Sequence, residues 1–410
     1  MAKLLIFLFD LGILFELLWG AHAWFTWALD PEYVYTTIAK SFVFVITLFY
    51  VKQFRVHVYL SRRILPAVFV LFVASMIGHL GGRAVFNFFL TYFPLYVLIC
   101  DKGHIERHVR FVSIGLTVIL IPGIILHLFM LVKGGLFPGI PIQYPNMKIY
   151  TFLNYGFLLK GVGNYEADGF RFQSVFLEPG YLGTLLSFIL YVQRYELKNF
   201  TNKILFVALL LTMSLAAYGT MIIGYVVCAY EKRKSVKKIL ILGIFAIIAV
   251  AFGSLYNGGN NVVNEKILSR FELDQEKGIS GNNRVSYVTD WYFDYFLQSG
   301  ELVWGVGSER IKKINGGGAD DAAFSEQIRG AGYKIYLINY GVISAGMFLL
   351  FYFLLGSAYT KKMTLYMFGF WSIVVITFVQ AAYPTSLAWL IPYFMAVSLQ
   401  KKNCLKGTSV

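Results

Sequence analysis

The sequence predicts an all-α polytopic membrane protein with about twelve transmembrane helices. Two observations support this class. The 410 residues are 58% apolar and only 14% charged, whereas soluble proteins are about 45–50% apolar and roughly 25% charged. In addition, apolar stretches recur along the whole chain. This pattern excludes a water-soluble enzyme, a disordered regulator and a disulfide-stabilised secreted domain, because most of the chain must lie inside a bilayer.

The helical segments follow from these apolar stretches. The first contains Asp10 and Glu16, which a cleaved secretory signal rarely tolerates, so we expect this helix to be retained. The long run Ile204–Tyr230 is divided at Ser214–Gly219, where small and polar residues allow a turn. Several segments are shorter than the ~20 residues of a straight crossing, which indicates tilts or kinks. The predicted segments are 4–27, 36–51, 64–80, 84–100, 111–133, 173–191, 204–216, 217–230, 239–254, 334–356, 363–382 and 386–399.

Lysine and arginine are concentrated in alternate connections of the chain. With twelve helices these connections all lie on one side, which the positive-inside rule assigns to the cytosol together with both termini. The excess of 36 basic over 22 acidic residues therefore indicates cytosolic loops and not nucleic-acid binding. The basic connections are 52–63, 101–110, 193–203, 231–238, 361–362 and the tail 401–406.

The opposite side receives two large external loops, 134–172 and 255–333, within a single integral membrane domain of residues 1–410. Long loops on a rigid scaffold often carry function. The glycines in the second loop form neither a dinucleotide-binding motif nor a P-loop. The cysteines form no zinc motif. We therefore expect no cofactor and no metal ion.

The first group of candidate residues lies in Phe170–Gly183. Arg171 stands at the outer end of the sixth segment, and Glu178 lies seven residues deeper. On a helix these two residues would share a face about 10 Å apart. Pro179 suits a first helical turn, which predicts a break at Glu178. An unpaired carboxylate at membrane depth is costly, which favours a functional role. In the alternative, Glu178 caps the helix and Arg171 extends to the membrane interface.

The second group lies in the loop 255–333. Arg284 stands just ahead of an apolar helix and is the second arginine candidate. This helix has an apolar stripe, which predicts that it lies on the membrane with its aromatic rings in the interface. The stripe consists of Val288, Trp291 and Tyr295. Asp320 and Asp321 follow in a glycine-rich stretch, where adjacent carboxylates are more often solvated than bound to a cation.

Further charged residues are predicted near the outer surface of the membrane. Arg83, at a short outer turn, faces the same compartment as Arg171 and Arg284. Glu16 and Lys40 are expected to form a structural ion pair near the outer side of the first two helices. Guanidinium groups beside a deep carboxylate suit an anion anchored in lipid, because arginine binds phosphate in a bidentate manner. The head group of a lipid-linked pyrophosphate would lie at this height.

These features resemble the O-antigen polymerase and ligase superfamily of bacterial surface polysaccharide enzymes. The resemblance covers most of the chain: about a dozen helices, one very long external loop late in the sequence and a shorter one in the middle. Four stretches carry it, and their order and membrane placement are more specific than any one of them. They are Arg171–Gly183, Leu210–Ser214, Arg284–Gly307 and Tyr336–Gly341.

The resemblance implies a metal-independent glycosyltransferase with a GT-C-like fold on the outer face of the bacterial plasma membrane. It would transfer a growing glycan from undecaprenyl pyrophosphate to a sugar hydroxyl of an incoming lipid-linked repeat unit. Its partners would be membrane lipid, the lipid-linked donor and acceptor, a flippase and a chain-length regulator. The resemblance implies catalytic arginines in both external loops, which are Arg171 and Arg284 here. The acceptor hydroxyl must also lose a proton, so a positioned carboxylate is expected to be catalytic: Glu178 is the first choice for this base, and Asp320 or Asp321 the second. The candidate substrate-binding residues are Arg83, Arg329, Gly180 and Trp304.

Two other functions remain open. A ligase of the same superfamily passes finished glycan to another acceptor, and the resemblance implies a histidine in its large external loop. Histidines occur only at 22, 57, 79, 104, 108 and 127. None lies in 255–333, which favours the polymerase. A flippase for lipid-linked oligosaccharides would carry charges through the whole membrane depth and would show two similar halves, and the chain has neither pattern.

Overall fold

The computed structural model of the protein is mostly helical. It describes residues 2–28, 34–58, 62–77, 82–101, 103–133, 138–144, 151–162, 170–231, 273–274, 278–279, 287–315, 328, 332–360, 363–381 and 386–405. The helices are α1 (Ala2–Gly20), α2 (Trp24–Ala28), α3 (Val34–Phe54), α4 (Leu65–Met76), α5 (Gly82–Cys100), α6 (Ile105–Lys133), α7 (Pro179–Val192), α8 (Phe200–Leu211), α9 (Leu215–Glu231), α10 (Tyr287–Gln298), α11 (Ser308–Ile314), α12 (Tyr333–Ser357), α13 (Leu365–Ala381) and α14 (Leu387–Leu405).

The apolar helices indicate a membrane-embedded protein. Among the described helices, α3, α6 and α12 are long and apolar enough to cross a membrane. On α6 the residues Val118, Ile125 and Val132 recur every seven positions and are all exposed, Val132 by 83%. An apolar stripe on the outer surface of a bundle suits contact with lipid and would be unfavourable in water.

Helices occupy the predicted segments that the structure describes, with three corrections. The first segment is broken at Ala21–Ala23, between α1 and α2. The sixth predicted segment, 173–191, is helical only from Pro179 onward, where α7 begins. The run Ile204–Tyr230 is divided as predicted, but at Thr212–Ser214, slightly before the expected turn. The predicted segment 239–254 lies outside the described residues, and the total of twelve spans is not confirmed.

The core is formed around α1, α7 and α14. Helix α7 is almost entirely buried because it packs against α8, α9 and α14. The buried phenols in this core bond to backbone carbonyls: the Tyr191 hydroxyl donates to the carbonyl of Tyr366 (2.6 Å), and the Tyr393 hydroxyl to that of Tyr352 (2.5 Å). These bonds satisfy polar groups that would otherwise be costly inside an apolar bundle.

The basic connections of the chain meet at one end of the bundle, which we call the basic end. The sequence predicts that these connections share one side, and the described contacts place them together. Ion pairs and hydrogen bonds join the neighbouring connections to one another and to the C-terminal helix. They are Tyr50–His104 (3.2 Å), Ser113–Gln193 (2.7 Å), Glu106–Lys402 (2.9 Å), Arg194–Glu231 (3.0 Å) and Tyr359–Lys401 (3.0 Å).

A small antiparallel sheet covers the other end, which we call the sheet end. Its strands are β1 (Ile140–Gln143), β2 (Thr151–Asn154) and β3 (Leu159–Gly161), in the order β1-β2-β3. In the register Ile142 lies opposite Phe152 and Leu153 opposite Lys160. The sheet lies in the predicted external loop 134–172, for which the sequence did not predict strands. Its apolar side packs in a separate cluster formed by Trp27, Phe152, Leu159 and Leu177.

The second predicted loop contains short helices in its described part, as expected. Helix α10, a 3₁₀ turn at Glu301–Val303, α11 and the first turns of α12 surround their own apolar cluster. We call residues 287–315 with 332–341 the loop module. A two-residue strand pair, β4 (Leu273–Asp274) with β5 (Gly278–Ile279), precedes it. The cluster consists of Phe296, Leu302, Ile311, Ile328, Ile335 and Ile338.

Candidate functional site

The most unusual feature of the sheet end is an irregular segment that runs inside the bundle. Residues 172–177 are all buried, yet they form no helix. Their backbone is paired with three distant parts of the chain: the Phe172 N–H donates to Leu211 O (2.9 Å), the Leu177 N–H to His22 O (3.1 Å), and Ser174 O accepts from the Leu159 N–H (2.8 Å). Irregular backbone at membrane depth persists only where protein or a cavity satisfies it. We call residues 172–177 the buried segment.

Local sequence explains why this segment leaves the helical path. Ser174 has φ 51°, a left-handed conformation that interrupts a helix,. Pro179 cannot donate to a preceding turn and therefore begins α7,. Helix α6 approaches the segment closely at Gly123, where a Cβ would lie 2.7 Å from Phe157 O and 2.8 Å from the Ser174 hydroxyl. The close approach therefore requires glycine.

The structure places Arg171 against the break between α8 and α9. Its Nε donates to the carbonyl of Thr212 (3.2 Å), and the hydroxyl of Tyr218 donates to the carbonyl of Leu210 in the same break. Two stretches that the sequence analysis singled out separately, Arg171–Gly183 and Leu210–Ser214, are therefore in direct contact. The bond at Nε fixes the direction of the guanidinium group, which stands directly before the buried segment in the sequence.

Glu178 occupies the position before the first residue of α7, with extended backbone angles (φ −140°, ψ 147°). The predicted break at Glu178 is confirmed, and Gly180 is the second residue of the helix. The expectation that Arg171 and Glu178 share a helical face about two turns apart is wrong. The reason is that the residues between them are irregular and paired with other segments, so helical spacing does not apply to them.

Two histidines flank the buried segment. The imidazole of His22 lies 5.1 Å from the ring of Tyr181 in the first turn of α7, and the imidazole of His127 on α6 lies 5.4 Å from the ring of Phe172. Sequence reasoning placed a candidate histidine base only in 255–333, so neither His22 nor His127 was predicted at this site. Neither carries a local signal, since each reaches the segment from a helix that is remote in sequence.

The second pair of predicted stretches also comes together, in the loop module. A Cβ on Gly305 would lie 2.5 Å from the backbone nitrogen of Gly341, and both glycines have φ of +80°. The two N–H groups that follow Gly305 donate to the carbonyls of Ile338 (2.7 Å) and Asn339 (3.1 Å). Gly341 interrupts α12 with non-helical angles. Only glycine fits these two positions, because each needs a positive φ and close backbone contact.

The remaining predicted residues are placed only in part. Trp304 is 65% exposed and follows the 3₁₀ turn of the loop module, where a ligand can reach it. Arg83 lies in the first turn of α5, where only the backbone is described. Four predicted residues lie outside the described part of the chain: Arg284, Asp320, Asp321 and Arg329.

The predicted ion pair between Glu16 and Lys40 is not formed. The Lys40 ammonium group donates instead to the Thr91 hydroxyl (3.2 Å). Glu16 is buried, and its carboxylate oxygens have no hydrogen-bond partner among the described residues. The prediction was wrong because α5, which supplies Thr91, lies against α3, and this contact is not visible from sequence spacing.

A buried network at the basic end was also missed. The His108 ring bonds to Asp10 through Nδ1 and to Asp101 through Nε2 (3.2 Å). Since both nitrogens face carboxylates, the ring donates from both and is positively charged. The Tyr50 hydroxyl donates to Asp101, and Arg107 Nε lies 3.4 Å from the Asp10 carboxylate. Two negative groups thus face two positive ones in a largely buried site.

The network changes the acidity of its outermost carboxyl group. Burial raises the pKa of Asp101, but hydrogen bonds from His108 and Tyr50 and the nearby imidazole charge outweigh burial, so that this pKa falls below its usual range,. In the sequence, Asp10 stands out only as an interruption of an apolar run. Its partner His108 is 98 positions away, so no local pattern could link them.

The described residues offer no metal-binding site. Within the described part of the chain, no group of three or more His, Cys, Asp and Glu side chains is arranged to hold a metal ion. The polar side chains at the sheet end are instead a guanidinium, a carboxylate and two imidazoles, which suit anion binding and proton transfer.

No protein-family model, curated protein or solved structure matches the chain.

Proposed function

We propose that the chain is a membrane glycosyltransferase that polymerises lipid-linked oligosaccharide repeat units. It transfers a growing glycan from undecaprenyl pyrophosphate to a sugar hydroxyl of the incoming unit. The observation that carries this proposal is the position of Arg171, whose Nε bonds to the Thr212 carbonyl just before a buried, irregular segment that ends at Glu178. A site at membrane depth suits a head group that is anchored in lipid, whereas a soluble substrate does not require one.

The residue types of the sheet end suit this transfer. The bond between the anomeric carbon and the pyrophosphate oxygen breaks, and negative charge develops on the leaving group. A preorganised arginine stabilises that charge without reorganisation at the moment of reaction, and its planar fork matches phosphate geometry. The acceptor oxygen forms the new bond and releases its proton, for which Glu178 is the proposed base. Arg284, Asp320 and Asp321 remain predicted contributors from the long loop.

Orientation is part of the same proposal. The basic connections lie together at the basic end, and the positive-inside rule assigns such connections to the cytosol. We therefore place the basic end and both termini in the cytosol of a bacterium and the sheet end outside the plasma membrane. In this arrangement the chain has twelve transmembrane helices in a GT-C-like fold. Its lipid-linked substrates would then arrive from a flippase, and a chain-length regulator would act on the same side.

A ligase of the same superfamily is the second candidate, and a specific observation favours it. His22 and His127 lie beside the buried segment, so an imidazole base is available even though none lies in 255–333. A deletion strain separates the two enzymes. Loss of a polymerase leaves single-repeat glycan on its normal acceptor, whereas loss of a ligase leaves long polymer on undecaprenyl pyrophosphate.

Reconstitution tests the proposal directly. The purified full-length protein is placed in liposomes with lipid-linked repeat units extracted from a strain that lacks its gene. A polymerase converts them into a ladder of products on a gel, and added nucleotide sugar or metal ion is not required. Absence of a ladder from folded wild-type protein would contradict the proposed function.

A further inference from the structure

Helix α10 presents an organised surface that the proposed chemistry does not use. Trp291, Asp294, Tyr295 and Gln298 are spaced by three, four and seven residues, so they share one face of the helix. All four are exposed, Trp291 by 53% and Tyr295 by 47%. The Trp291 and Tyr295 rings stack within 8° of parallel, with centroids 5.7 Å apart. Two flat aromatic surfaces are thus aligned beside a carboxylate and an amide.

The opposite face and one flank of α10 hold this surface in place. Phe296 is buried in the apolar cluster of the loop module with Leu302 and Ile338. The Lys334 ammonium group at the start of α12 lies 2.7 Å from the Asp290 carboxylate. The helix is therefore fixed on α12 by packing and by an ion pair. Its aromatic pair cannot turn into the core without breaking both, so the exposed face is a stable feature of the module.

Such a face suits either a membrane surface or a glycan, and the charge of the helix distinguishes the two. A helix that lies on a membrane typically carries lysine and arginine on its polar side, where they meet lipid phosphates. Helix α10 has two aspartates and no basic residue. A glycan fits better: the C–H face of a sugar ring packs on an aromatic ring, and its hydroxyls bond to carboxylate and amide groups.

We propose that this face, Trp291 with Asp294, Tyr295 and Gln298, binds the sugar part of the lipid-linked substrate. The inference rests on the proposed function, because it assigns a position to the glycan whose pyrophosphate end is bound elsewhere. It replaces the expectation that these aromatic rings lie in the membrane interface. The face adds binding affinity and takes no part in bond breaking.

Steady-state kinetics in liposomes test the assignment. With lipid-linked repeat units as substrate, Trp291→Ala and Tyr295→Ala should each raise KM about tenfold, the effect of losing ~1.4 kcal/mol of binding. The kcat should be unchanged, because the reacting groups are intact. Tyr230→Ala is the matched control, since Tyr230 is also exposed, by 67%, but lies at the basic end. Gln298→Ala, with a smaller rise in KM, tests the same face if either aromatic variant folds poorly.

Fluorescence in nanodiscs tests the competing occupant. Brominated phosphatidylcholine quenches tryptophans that lie in lipid, and the difference between wild type and Trp291→Phe isolates Trp291. We expect the fluorescence of Trp291 to be unquenched by the lipid and to change when the water-soluble oligosaccharide released from the repeat unit is added. Quenching by the lipid, or an unchanged KM in active Trp291→Ala and Tyr295→Ala, would overturn this inference alone. Wild-type protein without activity would instead contradict the proposed function.

Discussion

The two ends of the bundle stabilise buried polar groups in different ways. At the basic end, side chains pair with side chains, with His108 between Asp10 and Asp101. At the sheet end, backbone pairs with backbone, and the buried segment is held by carbonyls and N–H groups of remote residues. The charges at the basic end pair with one another, so their contribution to folding stability is enough to account for them. The buried segment is held by its backbone, so Arg171 and Glu178 at its two ends have fixed positions, which the proposed transfer requires.

The largest effect is expected from breaking the network at the basic end. Asp10→Ala or His108→Ala leaves a buried charge without its partner, which costs about 3–5 kcal/mol. Both variants should therefore yield little folded protein and should unfold at a much lower temperature in detergent. His57→Ala is the matched control, because His57 is exposed and should leave the thermal transition unchanged. Wild-type stability in either network variant would show that the basic end is not held by these charges.

A smaller effect is expected from crowding the backbone at the sheet end. Gly123→Ala places a Cβ against Phe157 O and Ser174, and overpacking of this kind costs about 1–3 kcal/mol. Gly346→Ala is the control in a second long helix, because a Cβ there meets nothing within 4 Å. Thermal unfolding should separate the two variants clearly. Equal transitions would mean that the buried segment is free to move away from α6.

The same contrast explains what the sequence can and cannot predict. Apolar runs predict the helices because burial in lipid or in the core requires them, and Pro179 predicts the break at Glu178. The irregular path of residues 172–177 was not predictable, because its hydrogen-bond partners come from His22, Leu159 and Leu211. The pairing of Asp10 with His108 is hidden for the same reason. Local pattern indicates which residues are buried but not which remote groups satisfy them.

Labelling tests the orientation of the two ends with no expected change in stability. The native cysteines, Cys100, Cys228 and Cys404, are first replaced by alanine. A single cysteine at Phe157, which is exposed at the sheet end, should react with a membrane-impermeant maleimide added to whole cells or spheroplasts. One at Lys52, exposed at the basic end, should react only after lysis. External reaction at position 52, or at Arg233, would reverse the assignment of the two sides.

The most direct test of the account is the reconstituted polymerisation assay with variants of Arg171. Arg171→Ala should abolish the ladder while the protein stays folded, because the lost hydrogen bond to Thr212 costs only about 0.5–1.5 kcal/mol of stability,. Arg171→Lys should restore part of the activity, because the charge is kept but the bidentate fork is lost. Arg110→Ala, an exposed arginine at the basic end, should remain fully active. A full ladder from folded Arg171→Ala would contradict the claim that the sheet end is where the glycan is transferred.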